Sequence, residues 1–485
     1  MQLDEGKIQE IVEKVMQALK QAPASPAAAP APARGSAPAP AGPTILVPRA
    51  GKYGVFGDVD SAVKAARLAF EQMHCQTLEM RGKVIDAVRE VCRRNVVDMS
   101  RRTVEETGMG RVDDKINKNT LAFERTPGID SLSPQGWSGD NGLTIMERAP
   151  YGVIGSITPC TNATETIICN AIGMIAGGNA VVFNTHPTAK EISNHLIRML
   201  NQAILSVGGP ENLLTVVAEP TIASANQLME HPGINLLVVT GGPGVVDVAM
   251  SKKKKFIAAG PGNPPAVVDE TAHLDRAGRS IVMGASLDNN IVCVVEKEII
   301  AVKSIADKLK QHLAAASAFL LRDNLIPRLE KLVVEKNGAN KAYVGKDASY
   351  ILKHLGVEVS GDPRIIVCEV DEKHPFVQHE LLMPVIPLVR VNSADEGIDM
   401  ARRVEHDFRH TAVIHSTNID NMHRMARLMD CSIFVKNAPS YAGLGLGGEG
   451  YPSFTIASPT GEGLTYARHF TRERRCVLKD YFRIV

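Results

Sequence analysis

Between residues 152 and 240 the chain alternates between two kinds of segment, and this alternation limits its folds more than any other feature. Gly152–Thr158, Ala180–Asn184, Leu213–Val217 and Leu236–Thr240 are short apolar runs rich in β-branched residues. Residues 164–175, 189–207 and 222–231 separate them and carry helical spacing. A run that is apolar on every position needs cover on both faces, and intervening helices supply it. The pattern therefore predicts βαβ units and a parallel, doubly wound sheet. Residues 61–76 and 81–107 read as helices before it. Beyond residue 260 a second set follows, with strands predicted at Ala266–Asp269, Lys297–Val302, Ile365–Cys368, Val385–Arg390, Thr411–His415 and Ser432–Val435. The expected fold class is α/β, with two doubly wound parallel-sheet domains. From Arg468 the alternating Val477, Tyr481 and Ile484 suit an edge or intersubunit strand.

The first 43 residues do not fit this pattern. Residues 3–19 put Ile8, Ile11, Val12, Val15 and Leu19 on one helical stripe. Residues 22–43 contain seven prolines and ten alanines, which cannot build a core and predict an extended tether. A sticky stripe on a leash of up to roughly 65 Å suits docking to another protein. The alternative is a frayed helix packed on its own domain. Met1–Glu5 lacks the basic start of a secretory signal, and no apolar run approaches the roughly 18 residues of a membrane span. With 54 basic against 53 acidic residues, the chain has no excess positive charge for nucleic acid or an anionic membrane. The eight cysteines are scattered without C-x-x-C pairs or metal-ligand spacing, as expected for reduced thiols in a cytosolic protein and for no metal centre.

Two glycine strings, at 443–448 and 445–450, satisfy G-x-G-x-x-G, but Tyr451-Pro452-Ser453 follows and no helix opens there. His379-Glu380-Leu381-Leu382-Met383 lacks the second histidine of a zinc motif. The Lys252–Lys255 run reads as a solvated turn. Val239-Thr240-Gly241-Gly242-Pro243-Gly244 is better placed. An apolar strand enters a glycine turn from which a helix can start, and such a turn can hold a pyrophosphate on backbone N–H groups. Taken alone, a tight strand–helix connection explains it better than a ligand site does. Cys293 sits after a polar turn at the start of the strand-like run Ile291–Val294. An isolated cysteine there can be an inert core residue, or a nucleophile if an oxyanion donor is near. Asn162, after Thr158-Pro159-Cys160-Thr161, could be that donor or an ordinary N-cap.

Taken in order, these segments resemble the aldehyde dehydrogenase superfamily over about residues 50–485. Gly152–Asn162 is similar to the strand and turn ending in the oxyanion asparagine. Val239–Gly242 is similar to the pyrophosphate turn, and Asn290–Cys293 to the nucleophile segment. Glu380–Val385 is similar to the segment whose glutamate holds the nicotinamide ribose. The resemblance implies Cys293 and Asn162 as catalytic residues. It implies Thr158, Pro159, Asn184, His186, Thr240, Gly241, Gly242, Val245, Ala259 and Glu380 as cofactor contacts. NAD is the expected cofactor. NADP is not excluded, because Asn184-Thr185-His186-Pro187 replaces the family's lysine and glutamate.

One departure bears on the chemistry. Hydrolytic members carry a glutamate base on a strand end where this chain has Ala258, in Ile257-Ala258-Ala259-Gly260-Pro261-Gly262-Asn263. A methyl group cannot activate water, so an acyl group on Cys293 needs another acceptor. The chain is most similar to the CoA-acylating enzymes of bacterial microcompartments, of the propanediol- and ethanolamine-utilisation type. Thr107–Arg111, Gly139–Thr144, Ala258–Pro265 and Gly445–Gly450 match their signatures. The resemblance implies oxidation of propionaldehyde or acetaldehyde to acyl-CoA by NAD and coenzyme A, in the lumen of a microcompartment in the bacterial cytoplasm. Residues 3–19 would bind a shell protein, and the 143–150 stretch and the C-terminal tail would make a homodimer or tetramer. The expected division is a targeting helix (1–21), a linker (22–43), an NAD-binding domain (44–130 and 151–257), an oligomerisation arm (131–150 and 466–485) and a catalytic domain (258–465). A hydrolytic dehydrogenase with its base supplied elsewhere, and a catalytically silent scaffold, are the competing readings.

Overall fold

The computed structural model describes residues 52–335 and 338–485. The expected targeting helix and linker lie outside the described residues. Within them the chain is α/β and built on two parallel sheets. The first has six strands in the order Val55–Phe56, Leu214–Val217, Ala180–Asn184, Val153–Ile157, Leu236–Thr240 and Phe256–Ala259, all parallel. Its central strands are buried at every position from 153 to 157 and from 180 to 184, which is why they read as unbroken apolar runs. The strand order reverses at Val153–Ile157. The next strand in sequence pairs on one side of it, and Leu236–Thr240 pairs on the other with Ile157 opposite Val239. The ends of these two strands therefore open a crevice at a topological switch point, the usual ligand position in such sheets.

The second sheet has seven parallel strands, in the order Ala318–Leu320, Ile365–Glu369, Val385–Val391, Glu298–Val302, Pro265–Val268, Thr411–His415 and Ile433–Lys436. Residues 260–264 run from the last strand of the first sheet into Pro265–Val268 of the second. A smaller antiparallel sheet pairs Gln135–Gly139 and Thr471–Lys479 on either side of Gly142–Pro150. Gly142 has φ 113°, and a Cβ there would lie 1.9 Å from the Leu478 carbonyl oxygen, so the hairpin requires glycine. Trp137, Val477, Leu478, Tyr481 and Phe482 are exposed on or just beyond these strands.

Helix starts follow their caps. The Val59–His74 helix begins where the Asp58 carboxylate accepts the Ser61 N–H at 2.8 Å. The Leu78–Thr107 helix begins where Thr77 Oγ1 accepts the Met80 N–H at 3.2 Å. Each cap contributes about 1 kcal/mol. Both helices start earlier than their apolar stripes predict. A further helix, Val112–Arg125, was not predicted at all. The strand-like reading of Ile291–Val294 is corrected: residues 291–295 form turns, and the strand begins only at Glu298. Three successive residues, Asp288, Asn289 and Asn290, have φ of 50°, 55° and 69°, which reverses the chain before Cys293. The Lys297 ammonium then donates to Asn290 O at 2.7 Å, Asn290 Oδ1 at 2.8 Å and Val292 O at 3.3 Å, closing the loop as a compact turn.

Candidate active site

The candidate residues lie at the carboxyl edge of the six-stranded sheet and the amino edge of the seven-stranded one. From the first come Thr158-Pro159 and Asn162, after Val153–Ile157, and Thr240-Gly241-Gly242, at the end of the neighbouring strand. From the second come segments entering four adjacent strands: Gly262 before Pro265, Cys293 and Lys297 before Glu298, Glu380 before Val385, and His410 before Thr411.

Cys293 is half-buried in its turn, and its own backbone N–H lies against the sulfur. Burial, with the nearby Glu380 carboxylate, pushes the thiol up to about 12, opposed by the positive charges of Lys297 and Lys118. Burial also raises Glu380, against the Lys297 charge and a hydrogen bond from the Gly262 N–H. Lys297 is itself lowered by burial, against Glu380, Cys293 and two more acids. Sulfur, carboxylate and ammonium thus form one electrostatic cluster. The high thiol value alone does not single out Cys293, since burial gives Cys92 and Cys169 the same value. Its setting does.

Asn162 is the N-cap residue of the Ala163–Ala176 helix but makes no capping bond. Its Oδ1 accepts from Lys118 Nζ at 2.7 Å, and its Nδ2 has only a long 3.5 Å contact to Thr161 Oγ1. The amide is therefore not used as an ordinary cap. Lys118 also lies 2.6 Å from Asp288 Oδ2, and Lys115 lies 2.9 Å from the same oxygen. Arg111 N–H donates to Asp288 Oδ1 at 2.9 Å. Asp288 is fully buried, and the two ammonium groups outweigh that burial and hold its carboxyl below the usual range. Breaking one side of such a buried pair costs about 3–5 kcal/mol.

The glycine turn has room for a ligand. Gly242 is the N-cap of the Pro243–Met250 helix without any side-chain cap, and a Cβ at Gly242 or Gly244 would meet nothing within 4 Å. Val245 stands exposed in that first turn. Thr158 Oγ1 is buried without a hydrogen-bond partner, while Thr240 Oγ1 bonds Thr455 Oγ1 at 2.8 Å. Free backbone donors, an open glycine face and an orphaned hydroxyl beside a switch point fit a dinucleotide. Asn184 is buried and accepts from Ser224 Oγ at 2.7 Å, and His186 is exposed, its Nδ1 2.9 Å from Thr188 Oγ1. Ala259 ends the Phe256–Ala259 strand and accepts from the Gly241 N–H. Residues 258 and 259 both carry only a methyl, so that strand end has no general base at either position.

The Gly445–Gly450 loop turns carbonyls to Arg125, which donates to Gly445 O at 2.6 Å and Gly450 O at 2.7 Å. Lys252 pairs with Glu230 and Lys254 donates to His231 O, at the surface. All eight cysteines are free thiols. Among the described residues, no cluster of three or more acidic, histidine or cysteine side chains could hold a metal, and no helix is long and apolar enough to cross a membrane.

Sequence reasoning missed Lys118, Lys297 and His410. His410 is buried with Nε2 unpartnered, and burial pushes its imidazole down to about 4. A Cβ on Gly262 would lie 2.8 Å from Cys293 O and 3.0 Å from His410 Cγ, so glycine lets nucleophile turn and imidazole close on each other. The only advance signal was the histidine's place at a strand start.

Comparison with known proteins shows the family. The aldehyde dehydrogenase family pattern matches residues 38–450. An acetylating acetaldehyde dehydrogenase, EutE of Salmonella typhimurium, is 50% identical over 441 residues, 90% of this chain and 94% of that protein. The CoA-propanoylating propanal dehydrogenase of the same organism is 43% identical over 432 residues, 89% of this chain and 93% of that one. The structure superposes on a Rhodopseudomonas palustris propionaldehyde dehydrogenase, solved with bound CoA and an acylated cysteine. The TM-score is 0.87 at 50% identity, over 88% of this chain and 98% of that one. The chain belongs to the aldehyde dehydrogenase family.

Proposed function

We propose that this chain is an acylating aldehyde dehydrogenase, which converts a short aliphatic aldehyde, coenzyme A and NAD to acyl-CoA and NADH through a thioester on Cys293. The Cys293 thiolate adds to the aldehyde carbon. Asn162 Nδ2 and the Cys293 N–H donate to the oxyanion so formed. NAD supplies the hydride acceptor when bound. Thr158, Pro159, Asn184, His186, Thr240, Gly241, Gly242, Val245 and Ala259 would line its site, and Glu380 would hold the ribose hydroxyls. Loss of hydride from the thiohemiacetal carbon leaves the acyl group on Cys293 Sγ. An incoming thiol then adds to that carbonyl carbon, and Cys293 leaves as thiolate.

The observation that carries this reading is the pair of methyl groups at residues 258 and 259, on a strand end beside the glycine turn. That strand end offers no carboxylate to activate water, and Glu380, the carboxylate near Cys293, is given to the ribose of the cofactor, so a thiol acceptor is the reading we adopt. The relatives that use coenzyme A support the same acceptor. Without coenzyme A, NADH is expected to stop after about one equivalent per subunit, and with it turnover continues and acyl-CoA accumulates. Sustained carboxylate production without coenzyme A overturns the reading in favour of a hydrolytic enzyme.

We assign the six-stranded sheet to the NAD-binding domain, the seven-stranded sheet to the catalytic domain and the three-stranded sheet to an oligomerisation arm. Exposed Trp137, Val477 and Leu478 support the last assignment. Residues 3–19 are assigned to docking on a microcompartment shell, supported by the amphipathic stripe and by relatives from such systems. A chain lacking residues 1–43 is expected to keep a native mass of two or four subunits and full turnover, but to be lost from purified shells. Retention in the shells ends the docking assignment, and a monomeric mass ends the arm.

A further inference from the structure

The Lys118 ammonium lies where two segments of the site meet. Its Nζ donates to Asn162 Oδ1 at 2.7 Å and lies 2.6 Å from Asp288 Oδ2 and 3.0 Å from Glu165 Oε1. Lys118 is 1% exposed, and Asp288 and Glu165 are 0% exposed. An ammonium offers three N–H donors and no acceptor: one donates to Asn162 Oδ1, and the contacts to Asp288 and Glu165 are ion pairs. Burial works against its charge, but Asp288 and Glu165 outweigh burial and hold it above the usual lysine range. At neutral pH it is a fixed cation and not a proton carrier.

This fixes the orientation of Asn162. A side-chain amide can donate only through Nδ2 and accept only through Oδ1. Lys118 can only donate, so the oxygen faces it and Nδ2 faces away. Without that cation, Oδ1 would be free to cap the Ala163–Ala176 helix that Asn162 begins, as N-cap residues do, and Nδ2 would turn with it. The second anchor of Lys118, Asp288, opens the left-handed run that leads into the Cys293 turn. The same cation therefore spans the helix start that carries the amide and the turn that carries the sulfur, and its charge reaches Cys293 itself.

We propose that Lys118 is a positioning residue for acylation: it aims Asn162 Nδ2 at the oxyanion and sets the amide against the nucleophile turn. The inference rests on the roles given above to Asn162 and Cys293. The test is the single-turnover rate of NADH formation in full-length Lys118→Met, Asn162→Ala and the double variant. Lys115 still neutralises Asp288 in Lys118→Met. Acylation is expected to slow by about 10–100-fold in Lys118→Met, less than the 10²–10³-fold of losing an oxyanion donor outright. KM for NAD is expected to stay within about twofold. In the Asn162→Ala background the lysine change is expected to add less than about twofold, because the amide through which it acts is gone. If the two losses multiply, Lys118 is a core ion-pair residue and the proposal fails. If Asn162→Ala alone leaves acylation unchanged, the assigned role of Asn162 fails first and takes the proposal with it. Should Lys118→Met not fold, Lys118→Arg replaces it. The charge is kept but the planar fork displaces the amide, and its loss too must vanish when residue 162 is alanine.

Discussion

Cys293→Ala is expected to remove the NADH burst and lower acyl-CoA formation by at least about 10⁴-fold, the scale for loss of a nucleophile. NAD binding should survive, since no other contact is touched. A retained burst would mean that the acyl group is carried elsewhere. The wild-type thiol makes a companion expectation. With the thiol pushed up to about 12, little of it is thiolate at pH 7, and that share rises about tenfold per pH unit. Alkylation by iodoacetamide without cofactor should follow that slope from pH 7 to 9. Glu380→Gln should be faster at every pH, because it removes the negative charge that opposes ionisation. A rate already level below pH 8 would show that Lys297 and Lys118 dominate over burial.

Asn162→Ala is expected to slow acylation by about 10²–10³-fold while KM for NAD changes little. The loss falls on kcat because the amide meets a full negative charge only once the aldehyde carbon has become tetrahedral. Asn162→Asp should do no better than alanine. Its carboxylate can still accept from Lys118, but it offers no N–H and puts a negative charge beside the oxyanion. Single-turnover absorbance at saturating aldehyde measures both. An aspartate variant close to wild type would exclude an oxyanion role for this side chain.

What the sequence made legible was whatever carries a period or a known string. Buried central strands such as Ala180–Asn184 appear with their observed bounds, because burial on both faces makes the four residues before Asn184 an unbroken apolar run. The missed helix shows the opposite case. Val112–Arg125 buries Lys115, Lys118, Asn119, Leu121, Ala122 and Phe123, and three of these six are polar. A search for an apolar stripe passes over a face whose burial depends on ion pairs with Asp288 and Glu165, partners more than forty residues away. The nucleophile turn was misread for a related reason. Ile291, Val292, Val294 and Val295 have strand-like composition, yet a left-handed run before them and Lys297 after them decide the geometry. Asp58 and Thr77 were readable cap signals, and using them would have moved two helix starts to their observed places.

The close approach at Gly262 has a consequence for altering this pocket. Because a single added methyl there would press on the Cys293 carbonyl and the His410 ring together, neither wall can be reshaped from that side without disturbing the other. The same backbone position also supplies an N–H to Glu380. Redesign of acceptor or aldehyde preference is thus best begun from other directions, leaving this one residue without a side chain.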